Sequence, residues 1–460
     1  MKYAFFIPSD ALPLHRFQEH IYNSIYDYTM SLKNLIYTVV LSTLTFTTLS
    51  AQHDNQNVPS PATAQNSDTS VHAADTHAAA THDDCHPEEK KSDKYDPVPA
   101  VMHHISDAHQ FHLFGDFHLP LPVFAYDTEG GMTMGMSSMF HHGEKAVNGF
   151  VLAHDVVKKA KGLPQGEVDL EEIHDGHYSF SNETVLPNGK KQDTYYVKYK
   201  GQCYELEESR KLTNSSSWID FSITKNVFTM ILALLLIGFI FIKVANSYKK
   251  NPNKAPSGLT NLIEPFVTFI RDDVAKPSIG PKYEKYMPLL MSLFFFILFN
   301  NLFGLIPIFP GGSNVMGNIS STIILALIVF LVVTFSGNKN YWQHIFWMPG
   351  VPLPIKILMA PIEFASIFIK PFTLLIRLFA NITAGHVIIM TLVSLVFIFG
   401  NAGASIGGSA GGALIAVPFV AFMNLLELLV AFLQAFIFTL LSALYIGAAV
   451  EEHHHAEEHH

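Results

Sequence analysis

Polar and apolar positions divide this chain in two. Charged and polar residues are spread through the first half, whereas Asn226 to Val450 is dominated by Leu, Ile, Phe, Val and Ala. There, "NVFTMILALLLIGFIFI" reaches Lys243 without a charge and is long enough to cross a bilayer. Further apolar runs cover Tyr286 to about Phe309, Ile319 to Ser336, Ile345 to Phe399 with prolines inside it, and Ala413 to Val450. Between the first two runs, "LTNLIEPFVTFIRDDVAKPSIGPKYEKY" sets apolar residues at helical spacing among charges, the pattern of a helix lying at the membrane surface. The expected fold is an all-α polytopic membrane bundle of about five spanning helices plus one amphipathic interfacial helix, the last two spans long and tilted.

The first half breaks into shorter pieces. Residues 1–51 read as an upstream extension and a secretory signal: "MSLKNLIYTVVLSTLTFTTLSAQ" has a basic Lys33, a short apolar run and small residues Ser50 and Ala51, and Met30 makes a better start than Met1. An uncleaved anchor is the alternative, and either one exports the polar residues beyond Ala51. Residues 52–100 are rich in Ala, Asp, Ser, Pro and His, with too few large apolar residues to bury a core, and are expected to be disordered. The histidines at 72, 77, 82, 86, 103, 104, 109 and 112 lack the fixed spacing of a structural zinc site, so no metal is assigned to them. Residues 101–216 show short alternating stretches such as "HYSFSN" and "DTYYVKYKGQCYELEE", the signals of a small β-rich exported domain. The cysteines are Cys85 and Cys203, both on that exported side, where an oxidising compartment permits a bridge. The membrane domain spans 222–450, and 451–460 is an acidic, His-rich tail.

Charge fixes the expected orientation. The formal net charge of −10 belongs to the soluble part, and no basic face suits nucleic acid. The loop after the first span is rich in lysine, whereas "PIFPGGSNVMGNISS" and "NAGASIGGSAGG" carry neither Lys nor Arg. Since basic loops stay in the cytoplasm, the N-terminal domain is exported and the C-terminus is cytoplasmic. Lys339 falls on the cytoplasmic side by alternation.

Ionisable residues nevertheless lie inside the apolar runs. A helix turns about 100° per residue, so Glu363, Lys370, Arg377, Asn381 and Ala384 form one narrow stripe. Asn424, Glu427, Gln434 and Tyr445 form another on the last run. A charge at the bilayer centre costs about 2.5–3.5 kcal/mol on insertion scales. Pairing of His386 with Glu427 for mutual satisfaction is one reading; the other is a proton route, in which imidazole and carboxylate exchange protons. Arg377 cannot relay protons, because its guanidinium stays charged.

On these residues the chain resembles subunit a of the rotary F-type ATP synthase. "KPFTLLIRLFANITAGH" and "FLQAFIFTLLSALYIGAAVEEH" are similar to that family's two signature helices, and the likeness covers about Ser247 to His454. The resemblance implies that Arg377 is the essential coupling charge, and that Asn381 and Gln434 line the proton path. His386, Glu427 and Asn424 belong to that path as read from the stripes, and Glu363 matches an acidic position on the cytoplasmic side, in the exit half of the route. Acid and imidazole are exchanged at 386 and 427 relative to some bacterial members, an arrangement other members share. An acid occupies the position of Gly304 in some members, so Gly304 receives no role, whereas Asn301 matches and can add a polar contact. The resemblance further implies a c-subunit ring, a b-subunit peripheral stalk and the rest of the F1Fo assembly as partners, in the lipid of a bacterial inner membrane. It implies no cofactor. The chain has no Gly-rich phosphate loop, so it enters the proton-transporting ATPase without a nucleotide site of its own. A secondary transporter or channel using the same polar stripe is the alternative, but such folds often carry inverted repeats and none is visible. A metal-capturing module needs only a single anchor and leaves the buried arginine unexplained.

Overall fold

The computed structural model describes residues 101, 105–114, 117–128, 130–173, 177–185, 191–210, 216–250, 255–306, 311–348, 351–401 and 405–451. The signal segment, the His-rich segment 52–100, Cys85 and the tail beyond Glu451 lie outside them. Two compact units emerge, one containing Asp107–Asn226 and the other Val227–His460.

The first unit is antiparallel β. Its strands are β1 (Gln110–Phe114), β2 (Phe117–Pro120), β3 (Pro122–Asp127), β4 (Gly131–Met136), β5 (Lys145–Val147), β6 (Phe150–Ala153), β7 (Val156–Ala160), β8 (Glu167–Asp169), β9 (Ser179–Val185), β10 (Lys191–Tyr199), β11 (Gln202–Glu207) and β12 (Trp218–Asp220). They form a seven-stranded sheet in the order β8-β5-β6-β7-β11-β10-β9, a three-stranded sheet β12-β3-β4 and the hairpin β1-β2.

Three two-residue turns set much of this register. Asn148-Gly149, His154-Asp155 and Lys200-Gly201 all have positive φ, and each joins directly paired strand ends: Val147 with Phe150, Ala153 with Val156, and Tyr199 with Gln202. Positive φ at both central residues is the type I′ geometry, whose twist matches that of the flanking strands.

Every residue of β6 is buried, since alternation sends Val151 and Ala153 into one apolar cluster and Phe150 and Leu152 into another. Trp218 on β12 fills the second cluster, edge-on to Phe150 at 5.1 Å. Cys203 on β11 is disulfide-bonded.

An acid–imidazole pair links His109, just before β1 and buried, to the half-buried Asp220 at the end of β12. His109 Nε2 lies 2.9 Å from Asp220 Oδ2, and its Nδ1 accepts from the Val157 amide at 3.3 Å. Burial alone would raise the Asp220 carboxyl. The His109 hydrogen bond and charge, with the Ser222 contacts, outweigh that and hold it below the usual carboxylate range. A carboxyl depressed by folding contributes stability that is present above its unfolded value, near about 4, and is lost as pH falls through the folded value. The denaturant midpoint of the full chain, read from Trp218 with Trp342 and Trp347 changed to Phe, is therefore expected to drop below about pH 4. Asp220→Asn flattens that dependence.

The second unit is helical: α1 (Lys225–Lys250), α2 (Leu259–Phe269), α3 (Tyr283–Leu305), α4 (Ile319–Ser336), α5 (Lys339–Phe346), α6 (Leu353–Phe399) and α7 (Ile406–Val450). Five candidate spans result, because α2 and α3 lie in one helical run, Leu259–Leu305, which includes a π-turn at Ile270–Ala275. The amphipathic segment expected at the membrane surface begins this run, and its apolar side is buried in the bundle. Phe266 packs 6.2 Å from each of Phe294, Phe295 and Phe432. Its charges gather in the π-turn, where Asp272 binds Arg271 through both carboxylate oxygens, at 3.0 and 2.7 Å, and Lys276 at 2.7 Å.

Two boundaries differ from those read in the sequence. The apolar region from Ile345 divides into α5 and α6, because Pro352 and Pro354 restart the chain after Trp347. The last helix starts at Ile406 rather than Ala413, with Ser405 capping it through a 3.2 Å bond from the Gly408 amide.

The 47 residues of α6 continue through Pro361 and Pro371 without a break. Lipid provides no water to reward opening the ladder, so intramembrane prolines are absorbed by local adjustment. At 1.5 Å per residue α6 and α7 are each about 70 Å long, against a hydrocarbon thickness of about 30 Å. They cross it only when strongly tilted.

The C-terminal end of α7 is held by its neighbours. Asn338 donates its amide to the Ala449 carbonyl (2.9 Å) and its side-chain nitrogen to that of Val450 (3.0 Å), satisfying carbonyls the helix leaves free. Gly447 lies so close to the turn after the π-segment that a Cβ there would fall onto the Ser278 carbonyl oxygen. Backbone on both sides leaves little room to relax, so Gly447→Ala is expected to destabilise the bundle by more than the about 1–3 kcal/mol usual for overpacking. A lowered melting temperature of the detergent-solubilised protein checks this.

Candidate functional site

Packing of α6 against α7 is the most extensive helix contact in the second unit, with α3 and α4 behind it. The two helices run antiparallel, as two contacts establish. Lys370 Nζ lies 5.7 Å from the centre of the Tyr445 ring, and further along His386 Nδ1 lies 2.6 Å from Glu427 Oε1. Arg377 falls between these levels, about 10 Å from Lys370 along the axis by the helical rise.

Glu427 is buried and His386 largely so, their side chains 5 % and 10 % exposed. Their geometry is that of a close contact without hydrogen-bond alignment, since among the described residues neither Nδ1 nor Oε1 has a hydrogen-bond partner. Small neighbours make room for the pair. A Cβ at Gly385 would sit 3.0 Å from Glu427 Oε1, and one at Gly304 on α3 would meet His386 Nε2 at 3.6 Å. Gly304, which the sequence left without a role, is thus the floor beneath the imidazole.

One turn before Gly304, Asn301 donates from Nδ2 to the Ala431 carbonyl of α7 at 3.1 Å, between the levels of Glu427 and Gln434. Its Oδ1 is buried, without a partner among the described residues. Gln434 is 4 % exposed and continues the line from Glu427 along the same face of α7. Buried polar atoms lacking partners are sites where water or a moving proton can be accommodated.

The structure does not draw every stripe residue into this line. Asn381 and Asn424 are exposed on their helices, and Arg377 is half-buried. Among the described residues Arg377 has neither a hydrogen bond nor an ion pair, and Ile376 and Phe372 next to it are exposed. An unpaired guanidinium on an apolar face is costly in lipid, so this surface is suited to a partner bearing negative charge.

Glu363 belongs to a separate feature. A cavity of about 310 Å³ opens near the N-terminal half of α6, lined by Glu363, Ser366, Lys370, Tyr341, His344 and Glu451. Ser366 donates to the Glu363 carbonyl at 2.7 Å. Neither His344 nor Glu451 stood out in the sequence, because α5 and the end of α7 are far apart along the chain and only packing brings them to Glu363.

A bundle of long apolar helices carrying a buried acid–imidazole pair and an uncompensated arginine is a multi-pass membrane protein built to handle charge within the bilayer. Residues 227–447 match the family described as ATP synthase A chain. The chain is 45 % identical over 248 residues to ATP synthase subunit a of Chloroherpeton thalassium, covering 52 % of this chain and 70 % of that protein. It is 44 % identical over 246 residues to ATP synthase subunit a 2 of Chlorobaculum tepidum (52 % and 66 %). To ATP synthase subunit a of an Anaeromyxobacter species it is 40 % identical over 253 residues (52 % and 57 %). The chain belongs to the ATP synthase subunit a family. Residues 100–180, in the β region, match a second family, described only as a domain of unknown function, DUF8433.

Proposed function

We propose that this chain is the proton-translocating stator subunit of the membrane sector of a rotary ATP synthase, working against a c-subunit ring and held by a b-subunit stalk. The observation that carries the reading is Arg377, unpaired among the described residues and set on the same helix pair as the buried His386–Glu427 contact. In this reading protons enter from the exported side along His386, Glu427, Asn381, Asn424 and Gln434 and reach a carboxylate on the ring. Arg377 favours the deprotonated carboxylate through opposite-charge attraction. Its fixed charge also repels a proton that would cross directly between the two half-channels. The transmembrane potential supplies about 2.3 kcal/mol per charge per 100 mV. ATP is handled elsewhere in the assembly, which makes this chain a non-nucleotide-binding part of the proton-transporting ATPase.

Orientation follows the charged loops, with residues 52–216 exported and the C-terminus cytoplasmic. The cavity bearing Glu363 then opens to the cytoplasm and serves the exit half of the route, with His344 and Glu451 at its mouth. Glu363→Gln is expected to slow ATP-driven pumping several-fold while leaving assembly intact, as measured by acidification of inverted vesicles. The test of the whole reading is the same assay on the assembled complex with Arg377 replaced; coupled pumping that survives overturns it.

A further inference from the structure

We propose that the outward face of the three-stranded sheet β12-β3-β4 rests on the lipid surface at which α1 begins. Alternation along β4 turns Met132, Met134 and Met136 outward, 55 %, 61 % and 43 % exposed, while Thr133 between the first two is buried. On β3 the positions opposite them are Tyr126, Phe124 and Pro122. Ile219 of β12 pairs with Tyr126, and the same register continues past the end of that strand. Phe221 donates its amide to the Phe124 carbonyl at 2.8 Å, and Ile223 to that of Pro122 at 3.0 Å. All of these outward positions carry apolar or aromatic side chains, and none carries a charge.

Apolar residues scattered singly over a surface are ordinary. A continuous array is not. With strands about 4.8 Å apart and outward positions about 7 Å apart, this one covers about 300 Å² of sheet, the size at which a surface patch is often functional. The core of the unit does not need it, because Val123, Ala125 and Trp218 on the inner face already pack with Phe140 and Phe150. Chain connection selects the occupant. Ile223 stands two residues before Lys225, where α1 starts, and four before Val227, in the charge-free run of that span. Four extended residues reach at most about 14 Å, so this edge of the array is held beside the membrane that α1 crosses. The composition agrees: a face for anionic headgroups or an acidic peptide would carry Lys or Arg, whereas uncharged Met, Phe, Tyr and Ile suit the boundary between headgroups and acyl chains, where binding grows with the apolar area buried. The rival occupant is a second copy of this chain, paired along β4, which is an edge strand of the sheet.

The test is NMR of the Met ε-methyl groups of the full chain in lipid nanodiscs, each signal assigned by a single Met→Leu change. Two paramagnetic agents are compared, a phospholipid spin-labelled near the top of its acyl chain and a water-soluble gadolinium chelate. The Met132, Met134 and Met136 signals are expected to broaden more with the labelled lipid than with the chelate. Phe221→Asp sets a charge into the face and should reverse that order, since a carboxylate is costly in lipid. Broadening mainly by the chelate in the unaltered chain, which marks a face open to water, overturns the proposal. So does broadening by neither agent, which marks cover by a second copy or another segment. An undiminished lipid effect in a folded Phe221→Asp chain, whose Met139 methyl against the inner cluster keeps its chemical shift, overturns it as well. Should that variant misfold, the pattern of the unaltered chain decides alone.

Discussion

Arg377→Gln is expected to abolish ATP-driven acidification of inverted vesicles while the complex still assembles. The reason is electrostatic. A guanidinium about 4 Å from a carboxylate, at an effective dielectric constant near 20, favours the ionised form by about 4 kcal/mol. That is about three pKa units, so a rotor carboxylate facing glutamine would release its proton on the order of a thousandfold less readily at a given pH. On the proposed route, passive proton leak should rise at the same time, because the positive barrier between its two halves is gone. Arg377→Lys should not restore coupling fully, since an ammonium in an apolar site loses its proton far more readily than a guanidinium. Coupled pumping in the Gln variant would sink the stator role.

The second large effect concerns the buried pair. His386→Ala leaves the Glu427 carboxylate without its partner at 2.6 Å, and Glu427→Ala leaves a buried imidazole in the same position. Breaking one side of a buried pair typically costs about 3–5 kcal/mol, so each single change should lower pumping at least tenfold. The double exchange His386→Glu with Glu427→His keeps one acid and one imidazole on facing helices, and most of the pumping should return. Pumping is measured with the amount of assembled complex in each membrane determined alongside. An exchanged protein as inactive as the single variants, at normal assembly, would show that the pair does not work as an interchangeable relay.

Much of this arrangement is visible in the sequence because it is local. A run of apolar residues long enough to cross lipid must satisfy its backbone internally, and only a helix does so within one segment. The limits Ile319 and Ser336 are therefore legible from hydrophobicity alone. The stripes were legible for the same reason, since helical period alone puts Glu363, Lys370 and Arg377 on one face. Helix ends were less so. The glycines before Gly412 look like a loop, yet one face of that segment packs against the end of α6, where a Cβ at Gly412 would lie 3.1 Å from the Leu395 carbonyl oxygen. Tertiary contact there outweighs the low helix propensity of glycine.

By itself the sequence determined which segments cross the membrane and which of their faces carry charge, because hydrophobicity and helical period act within a few turns. Only the tertiary structure decided which faces meet. His386 lies about half a turn from the Arg377 stripe by periodicity, and nothing along the chain requires it to touch Glu427. It does so because α6 and α7 pack closely where Gly385 and Gly304 leave space for the imidazole and the carboxylate. The same packing leaves Arg377 unpaired among the described residues and gathers Glu363, His344 and Glu451 around one cavity. These are agreements between side chains far apart in sequence, fixed by the volumes that must fill the space between helices.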